Sequence, residues 1–185
     1  METLYFKKTR ELRKEKTELE KKLKVKIMIT GKKVSFEGET VDEYEAAHVL
    51  EAMQFGFSAK KALQLTEPDT LFRRLNIKDF TRRKDMYEVR SRIIGKEAKT
   101  KRTVETISGC SVIVTDSNEV GILGPTESMD AAVVALKNII KGSKQANAYA
   151  FLERMNAVDK TEDLGLREEE KETEDEGDEE EDETN

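Results

Sequence analysis

One pattern of apolar residues occurs twice in this chain, the second time eighty-five residues after the first, and it restricts the fold more than any single motif. Val25-Lys26-Ile27-Met28-Ile29 alternates, reverses through Thr30-Gly31-Lys32-Lys33, and alternates again through Val34-Ser35-Phe36-Glu37-Gly38. Period-two alternation gives a strand one apolar face, and a polar, glycine-containing break between two such runs reads as a β-hairpin. A helical period follows in Val41, Ala46, Ala47, Leu50 and Met53. The order then returns as Cys110-Ser111-Val112-Ile113-Val114, a turn one residue longer, Val120-Gly121-Ile122-Leu123-Gly124, and a helix carrying Ala132, Val133, Leu136 and Ile139. Gly38 and Gly124 close the two hairpins at the same place. Two copies of one α/β unit is the economical reading.

The copies differ upstream of the hairpin. Each has a basic amphipathic helix there, Glu11 to Leu23 and Lys99 to Ile107, but the second is preceded by a strand over Asn76 to Phe80, a basic helix over Arg83 to Ile94 and a turn at Gly95. The repeat offset places Arg10-Glu11-Leu12-Arg13 opposite Gly95-Lys96-Glu97-Ala98, without a glycine and with too few preceding residues for a full strand and helix. The expected organisation is a degenerate unit over 1–57, a helical connector over 58–75, a complete unit over 76–143, a C-terminal helix over 144–158 and an acidic tail over 159–185. In the connector, Ala59 to Leu65 and Pro68 to Leu75 read as two short helices, Pro68 suiting a first helical turn. Leu63, Leu65, Leu71, Phe72 and Leu75 make it too apolar for a flexible linker and are expected to pack the units into one body. Ala148, Phe151 and Leu152 form a stripe on the C-terminal helix.

Charge is distributed as unevenly as pattern. Residues 161–185 hold fifteen acidic against two basic residues, a net of −13, so the remainder, with 31 Lys and Arg against 24 Asp and Glu, carries +7 beneath the overall −6. A basic body selects polyanionic partners, because exposed cations displace condensed counterions from phosphates. The tail, highly charged and poor in apolar residues, is expected to be disordered. One cysteine, Cys110, excludes an internal disulfide framework and fits a reducing compartment. No apolar run approaches a membrane span and the start of the chain shows no signal-like apolar segment, so the expected location is cytoplasmic, away from membranes.

The basic charge concentrates around Arg92-Ile93-Ile94-Gly95-Lys96-Glu97-Ala98-Lys99-Thr100-Lys101-Arg102. A glycine between two helical segments lets the main chain turn tightly, and the N–H groups that open the second helix can face an anion. This arrangement resembles the glycine loop of a KH domain, which clamps about four nucleotides by their backbone. Asn76-Ile77-Lys78-Asp79, Arg92 to Glu105, Ile140-Lys141-Gly142-Ser143-Lys144 and Phe151-Leu152-Glu153-Arg154 narrow the likeness. Over residues 20–156 the chain resembles the archaeal small-subunit ribosome-assembly factors of the Partner of Nob family. The resemblance implies an α+β protein of two packed type I KH-like units, the first lacking its glycine loop, that holds the 3′ end of small-subunit ribosomal RNA without being a nuclease. Its implied partners are that RNA as a single strand, the maturation endonuclease of the Nob family and pre-ribosomal proteins. Two departures stand out: Ala98 occupies a position where members usually have glycine, and the first unit is shorter than archaeal members usually carry.

The expected RNA-binding residues are Gly95 with the N–H groups of Lys96, Glu97 and Ala98, the cations Arg92, Lys96, Lys99, Lys101 and Arg102, and an apolar floor of Ile94, Val104 and Ile113. Base edges would meet the strand near Val112 to Val114. No catalytic residue, metal site or cofactor is expected: His48 is the sole histidine, and Gly95-Lys96-Glu97 lacks the spacing of a phosphate-binding Walker loop. The alternatives are a KH protein for other single-stranded RNAs and a protein–protein adaptor whose RNA groove has decayed. If the tail competes with RNA for the basic body, deleting residues 161–185 tightens RNA binding at low salt, measured by fluorescence anisotropy; unchanged affinity leaves the tail a solvating role only.

Overall fold

The computed structural model describes residues 2–157, so the acidic tail lies outside the described residues. The chain runs β1 (Glu2–Tyr5), α1 (Arg10–Leu23), β2 (Lys26–Thr30), β3 (Lys33–Glu37), α2 (Thr40–Phe55), α3 (Ala59–Ala62), β4 (Thr70–Asn76), α4 (Met86–Ile94), α5 (Lys99–Ser108), β5 (Ser111–Val114), β6 (Glu119–Pro125), α6 (Thr126–Lys141) and a last helix, α7, over 145–157. Both expected hairpins are present, and each becomes part of a three-stranded antiparallel sheet of the same order, β1-β3-β2 and β4-β6-β5. The repeat therefore extends to a strand that the first unit was expected to lack. With no counterpart of α4 to accommodate, Glu2–Tyr5 pairs directly with β3, placing Glu2 opposite Phe36 and Tyr5 opposite Lys33.

Two further expectations are corrected around β4. The helix expected over Pro68 to Leu75 and the strand expected over Asn76 to Phe80 are replaced by a strand over Thr70–Asn76 and a single helical turn over Ile77–Asp79. Leu71, Phe72 and Leu75 have helical spacing, yet the strand uses both of its faces: Leu75 enters the core beneath the second unit's helices and Phe72 packs against the first unit. Pairing with β6 along all seven residues decides the matter, since tertiary context outweighs local pattern. The helix expected from Arg83 starts at Met86, where the Asp85 carboxylate accepts from the N–H groups of Tyr87 at 2.9 Å and Glu88 at 3.1 Å. This is an N-cap, worth about 1 kcal/mol.

Each sheet buries one face under its helices. In the first unit Leu12, Leu19 and Leu23 of α1 and Val49 and Leu50 of α2 close over Ile27, Val34 and Phe36. In the second, Val89, Ile93, Val104, Leu136 and Ile140 close over Leu75, Val112, Val120 and Ile122, and Ala148 and Leu152 of α7 join the same core. The opposite face of the second sheet is apolar as well. Leu123 belongs to the first unit's core, with Phe72 and Ile113 packed against it. Phe55, Phe57 and Phe72 meet there with ring centroids 5.7 to 6.3 Å apart. Arg74 of β4 pairs with Glu51 of α2 across the same seam. The two units thus form one body, to which Leu63, Leu65 and Phe72 of the connector contribute as expected, whereas Leu71 is exposed and Leu75 lies under the second unit's own helices.

Gly121 shows how close the approach is, because a Cβ there would lie 2.5 Å from the ring of Phe55. Among the described residues no helix is long and apolar enough to cross a membrane. Gly121→Ala must displace Phe55 and is expected to lower stability by about 1–3 kcal/mol, the cost of overpacking. Equilibrium urea unfolding measures it, and an unchanged midpoint would mean that the seam yields freely.

Candidate nucleic-acid interface

The turn between α4 and α5 is built around one close contact. Gly95 has φ 77° and ψ 171°, a backbone region essentially confined to glycine. A Cβ on Gly95 would stand 2.2 Å from Oγ1 of Thr100 and 2.7 Å from its main-chain nitrogen. Thr100 is buried, and its hydroxyl receives Nε2 of Gln145 at 2.8 Å. The same nitrogen donates to the carbonyl of Arg92 at 3.0 Å, so α7 holds both sides of the turn at once. Thr100 and Gln145 carry no charge or glycine signal, and sequence reasoning assigned them no part in the site.

Past Gly95 the chain stays in unusual territory. Glu97 has φ 53° and Ala98 φ 60°, both left-handed, before α5 begins at Lys99. Ala98 therefore adopts the conformation for which glycine is normally used, which costs an alanine roughly 1–2 kcal/mol. The Ala98 N–H folds back to the Gly95 carbonyl at 3.2 Å, whereas those of Lys96 and Glu97 have no partner among the described residues. Lys96 and Glu97 are exposed, so two N–H groups without an internal partner sit at the tip of a strained, buttressed turn.

The structure divides the expected cations into groups. Lys96, Lys99 and Arg102 share a depression also lined by Thr103, Ile107 and Glu153. Lys101 lies on the other flank of α5, 3.7 Å from the Glu105 carboxylate. Arg92 spends part of its guanidinium on the Ser143 carbonyl at 3.2 Å and secures the start of α7. Arg90, not singled out by sequence, ties α4 to the β5–β6 turn through the Asp116 carbonyl at 3.1 Å and Asn118 Oδ1 at 2.6 Å.

Two members of the expected apolar floor are corrected. Val104 is fully buried in the core beneath the helices, one of three α5 residues on its inward face, and offers no surface to a base. Ile113 faces the seam and packs against the first unit, because neighbouring residues of a strand point to opposite faces and Val112 already fills the helical side. Ile94, 36% exposed beside Gly95, remains the accessible apolar residue of the three.

The outer edge of β5 is partly satisfied from within. Thr115 N–H donates to the Glu119 carbonyl at 2.9 Å, and the ladder alternates from there, so Ile113 and Ser111 face β6 while Val112 and Val114 turn their main-chain groups outward. The Val112 N–H donates to the Glu105 carboxylate at 2.8 Å. Ile27 N–H does the same to Glu20 at 2.8 Å in the first unit, so the contact repeats where no glycine turn exists and secures helix to edge strand in both. The Val112 carbonyl and the Val114 N–H remain adjacent on the free edge. Elsewhere, burial pushes the Cys110 thiol up, and His48 is an exposed ring set edge-on to Tyr44 at 4.5 Å.

Residues 71–157 match the family described as eukaryotic type KH-domain, KH-domain type I. This part of the chain has the fold of a type I KH domain. A KH domain-containing protein of Methanocaldococcus jannaschii is 30% identical over 112 residues, 60% of this chain and 49% of that protein. The RNA-binding protein pno1 of Ixodes scapularis is 30% identical over 114 residues, 60% of this chain and 48% of its own. The chain spans about half the length of these curated relatives. The crystal structure of a complex of a/eIF2alpha, aDim2p and rRNA from Pyrococcus horikoshii contains a chain that superposes with a TM-score of 0.73 at 28% identity, covering 83% of this chain and 92% of that one. The likeness to the Partner of Nob family expected from Arg92 to Glu105 is borne out by these relatives, as is the pairing of two KH-like units.

Ala98→Gly removes the left-handed penalty while adding unfolded-state entropy, and is expected to raise stability by about 0.5–1 kcal/mol. Thermal unfolding checks this, and a loss of stability would show that the alanine methyl group supports the turn.

Proposed function

We propose that this protein binds single-stranded RNA and that its target is the 3′ end of small-subunit ribosomal RNA, held while an endonuclease of the Nob family matures it among pre-ribosomal proteins. The observation that carries the reading is the turn itself: a backbone only glycine can start, two free N–H groups at Lys96 and Glu97, and Lys96, Lys99 and Arg102 around them. Phosphate oxygens accept from such N–H groups and are neutralised by the cations. The RNA named for one relative, and the rRNA of the Pyrococcus horikoshii complex, support the choice of ligand.

Base preference follows from the free edge of β5. The Val112 carbonyl accepts and the Val114 N–H donates, which suits a base whose amino group adjoins an unprotonated ring nitrogen, as in adenine or cytosine. Guanine and uracil present the opposite order on that edge. Ile94 supplies an apolar surface beside it. The action is positioning, with no covalent step assigned to any residue. Ala98 keeps its left-handed backbone without glycine, and a decayed groove would have no reason to bear that strain.

Binding of the full chain to a short strand from the 3′ end of small-subunit ribosomal RNA, against a scrambled strand and across a salt series, tests the proposal. With three or four phosphates held, log K against log salt should slope at about −2 to −3. Lys96→Ala combined with Lys99→Ala should weaken the native strand by roughly tenfold and flatten the slope by roughly 1. Equal, weak binding to both strands would favour the adaptor reading, and tight binding of an unrelated strand would point to other RNAs.

A further inference from the structure

The helical side of the second unit carries a basic surface that the glycine turn and its groove do not use. Arg82, Arg83 and Lys84 sit on the loop that enters α4, and Lys137, Lys141 and Lys144 follow one another along the end of α6 to its junction with α7. Two contacts bring these segments together. Nζ of Lys137 lies over the ring of Phe80, 5.0 Å from its centroid, and the guanidinium of Arg83 stands so close to Gly142 that a Cβ there would meet it at 3.2 Å. The loop therefore runs along the last turns of α6. No acid occurs between Asp130 and Glu153. On the loop, the Asp85 carboxylate caps α4 and Glu88 pairs with Arg83 at 2.6 Å, which leaves Asp79 as its one acid not so engaged. Arg82, Lys84, Lys141 and Lys144 are exposed and make no ion pair among the described residues.

The end of α6 accounts for part of this charge. A helix C-terminus favours cations, and Lys141 on the last turn with Arg83 beside Gly142 meets that demand. Arg82, Lys84 and Lys144 exceed it. The surface also borders the glycine turn, on the flank away from β5. Arg90 and Arg92, two residues apart on α4, reach in opposite directions, Arg90 to the β5–β6 turn and Arg92 to the Ser143 carbonyl. Lys144 lies between Ser143 and Gln145, the two residues that bond to Arg92, so the basic surface begins where that flank of the turn ends.

We propose that this surface, the loop before α4 together with the α6–α7 junction, docks the phosphate backbone of double-stranded RNA, with Arg82, Lys84, Lys141 and Lys144 as the contacting cations. A stem that flanks the held single strand would thereby lie along the helical side of the second unit. The inference rests on the RNA-binding reading above and assigns the protein a second RNA form to recognise. The surface offers flexible side-chain cations but neither a glycine turn nor a free strand edge, the two devices by which the groove holds and reads unstacked bases. Such cations suit a duplex, whose base edges are closed to side chains in the narrow major groove and whose phosphates and shape are what a protein meets. The occupant is RNA and not an acidic protein segment, because the cations adjoin the turn that receives phosphate.

The test measures, by fluorescence anisotropy on the full chain, a labelled single strand and the same strand carried as an overhang on a short RNA stem-loop. Wild type should bind the stem-loop form roughly tenfold more tightly, with a salt slope steeper by about 2 to 3, as three duplex phosphates at about 0.9 each would give. The variant R82A/K84A/K141A/K144A should lose that gain and keep the single strand within about twofold of wild type. Glu88→Gln, which frees Arg83, should tighten the stem-loop form alone, an increase that loss of folding cannot imitate. No gain from the stem in wild type, or equal weakening of both RNAs by the quadruple variant at an unchanged unfolding midpoint, overturns the proposal. K96A/K99A separates the two ideas: if it binds the single strand like wild type while the quadruple variant loses the stem's gain, the duplex surface stands and the reading of the turn falls.

Discussion

The second unit's sheet is apolar on both faces, and most of the molecule's behaviour descends from that. One face receives α4, α5 and α6, and the other receives Phe55, Phe57 and the core of the first unit. Burying an aromatic side chain contributes about 1.5–3 kcal/mol, so three phenylalanines gathered on the seam outweigh the modest gain of an exposed ion pair such as Arg74–Glu51. The consequences are geometric. Ile113 is turned toward the first unit, Gly121 leaves no room for a side chain, and the entry to α1 is held beside the end of β5.

The glycine turn illustrates a different economy. Two consecutive non-glycine residues in left-handed conformations cost roughly 1–2 kcal/mol each, and such strain persists only where the surroundings impose it. Here the imposing groups are Thr100, which fills the space beneath Gly95, and Gln145, which bonds to both flanks of the turn. The matched domain, residues 71–157, includes α7, whereas the repeated pattern stops with α6. The helix that looks like an appendage is therefore the buttress of the site.

Much of this architecture is legible in the chain because it is local. The hairpins at Lys26–Glu37 and Ser111–Pro125 follow from alternation around polar breaks, α5 from its amphipathic spacing, and the turn from Gly95 among cations. The misreadings occur where residues serve two surfaces. Phe72 and Leu75 are buried on opposite faces of β4 and, with the exposed Leu71, mimic helical spacing, and a strand of that kind loses the alternation that would reveal it. The short β1 was missed for a related reason: four residues carry little pattern, and only β3 makes them a strand.

The sequence by itself determined the two-unit plan, the place of the glycine turn and the sign of the charge around it, since period, glycine and cation are properties of neighbouring residues. Tertiary structure decided which of those residues face a ligand. It buried Val104, turned Ile113 to the seam, and brought Lys7, Lys8 and Arg10 to the edge of a strand a hundred residues away. The physical reason is that exposure and charge pairing depend on packing between segments distant in the chain, and no local pattern encodes which face another unit will cover.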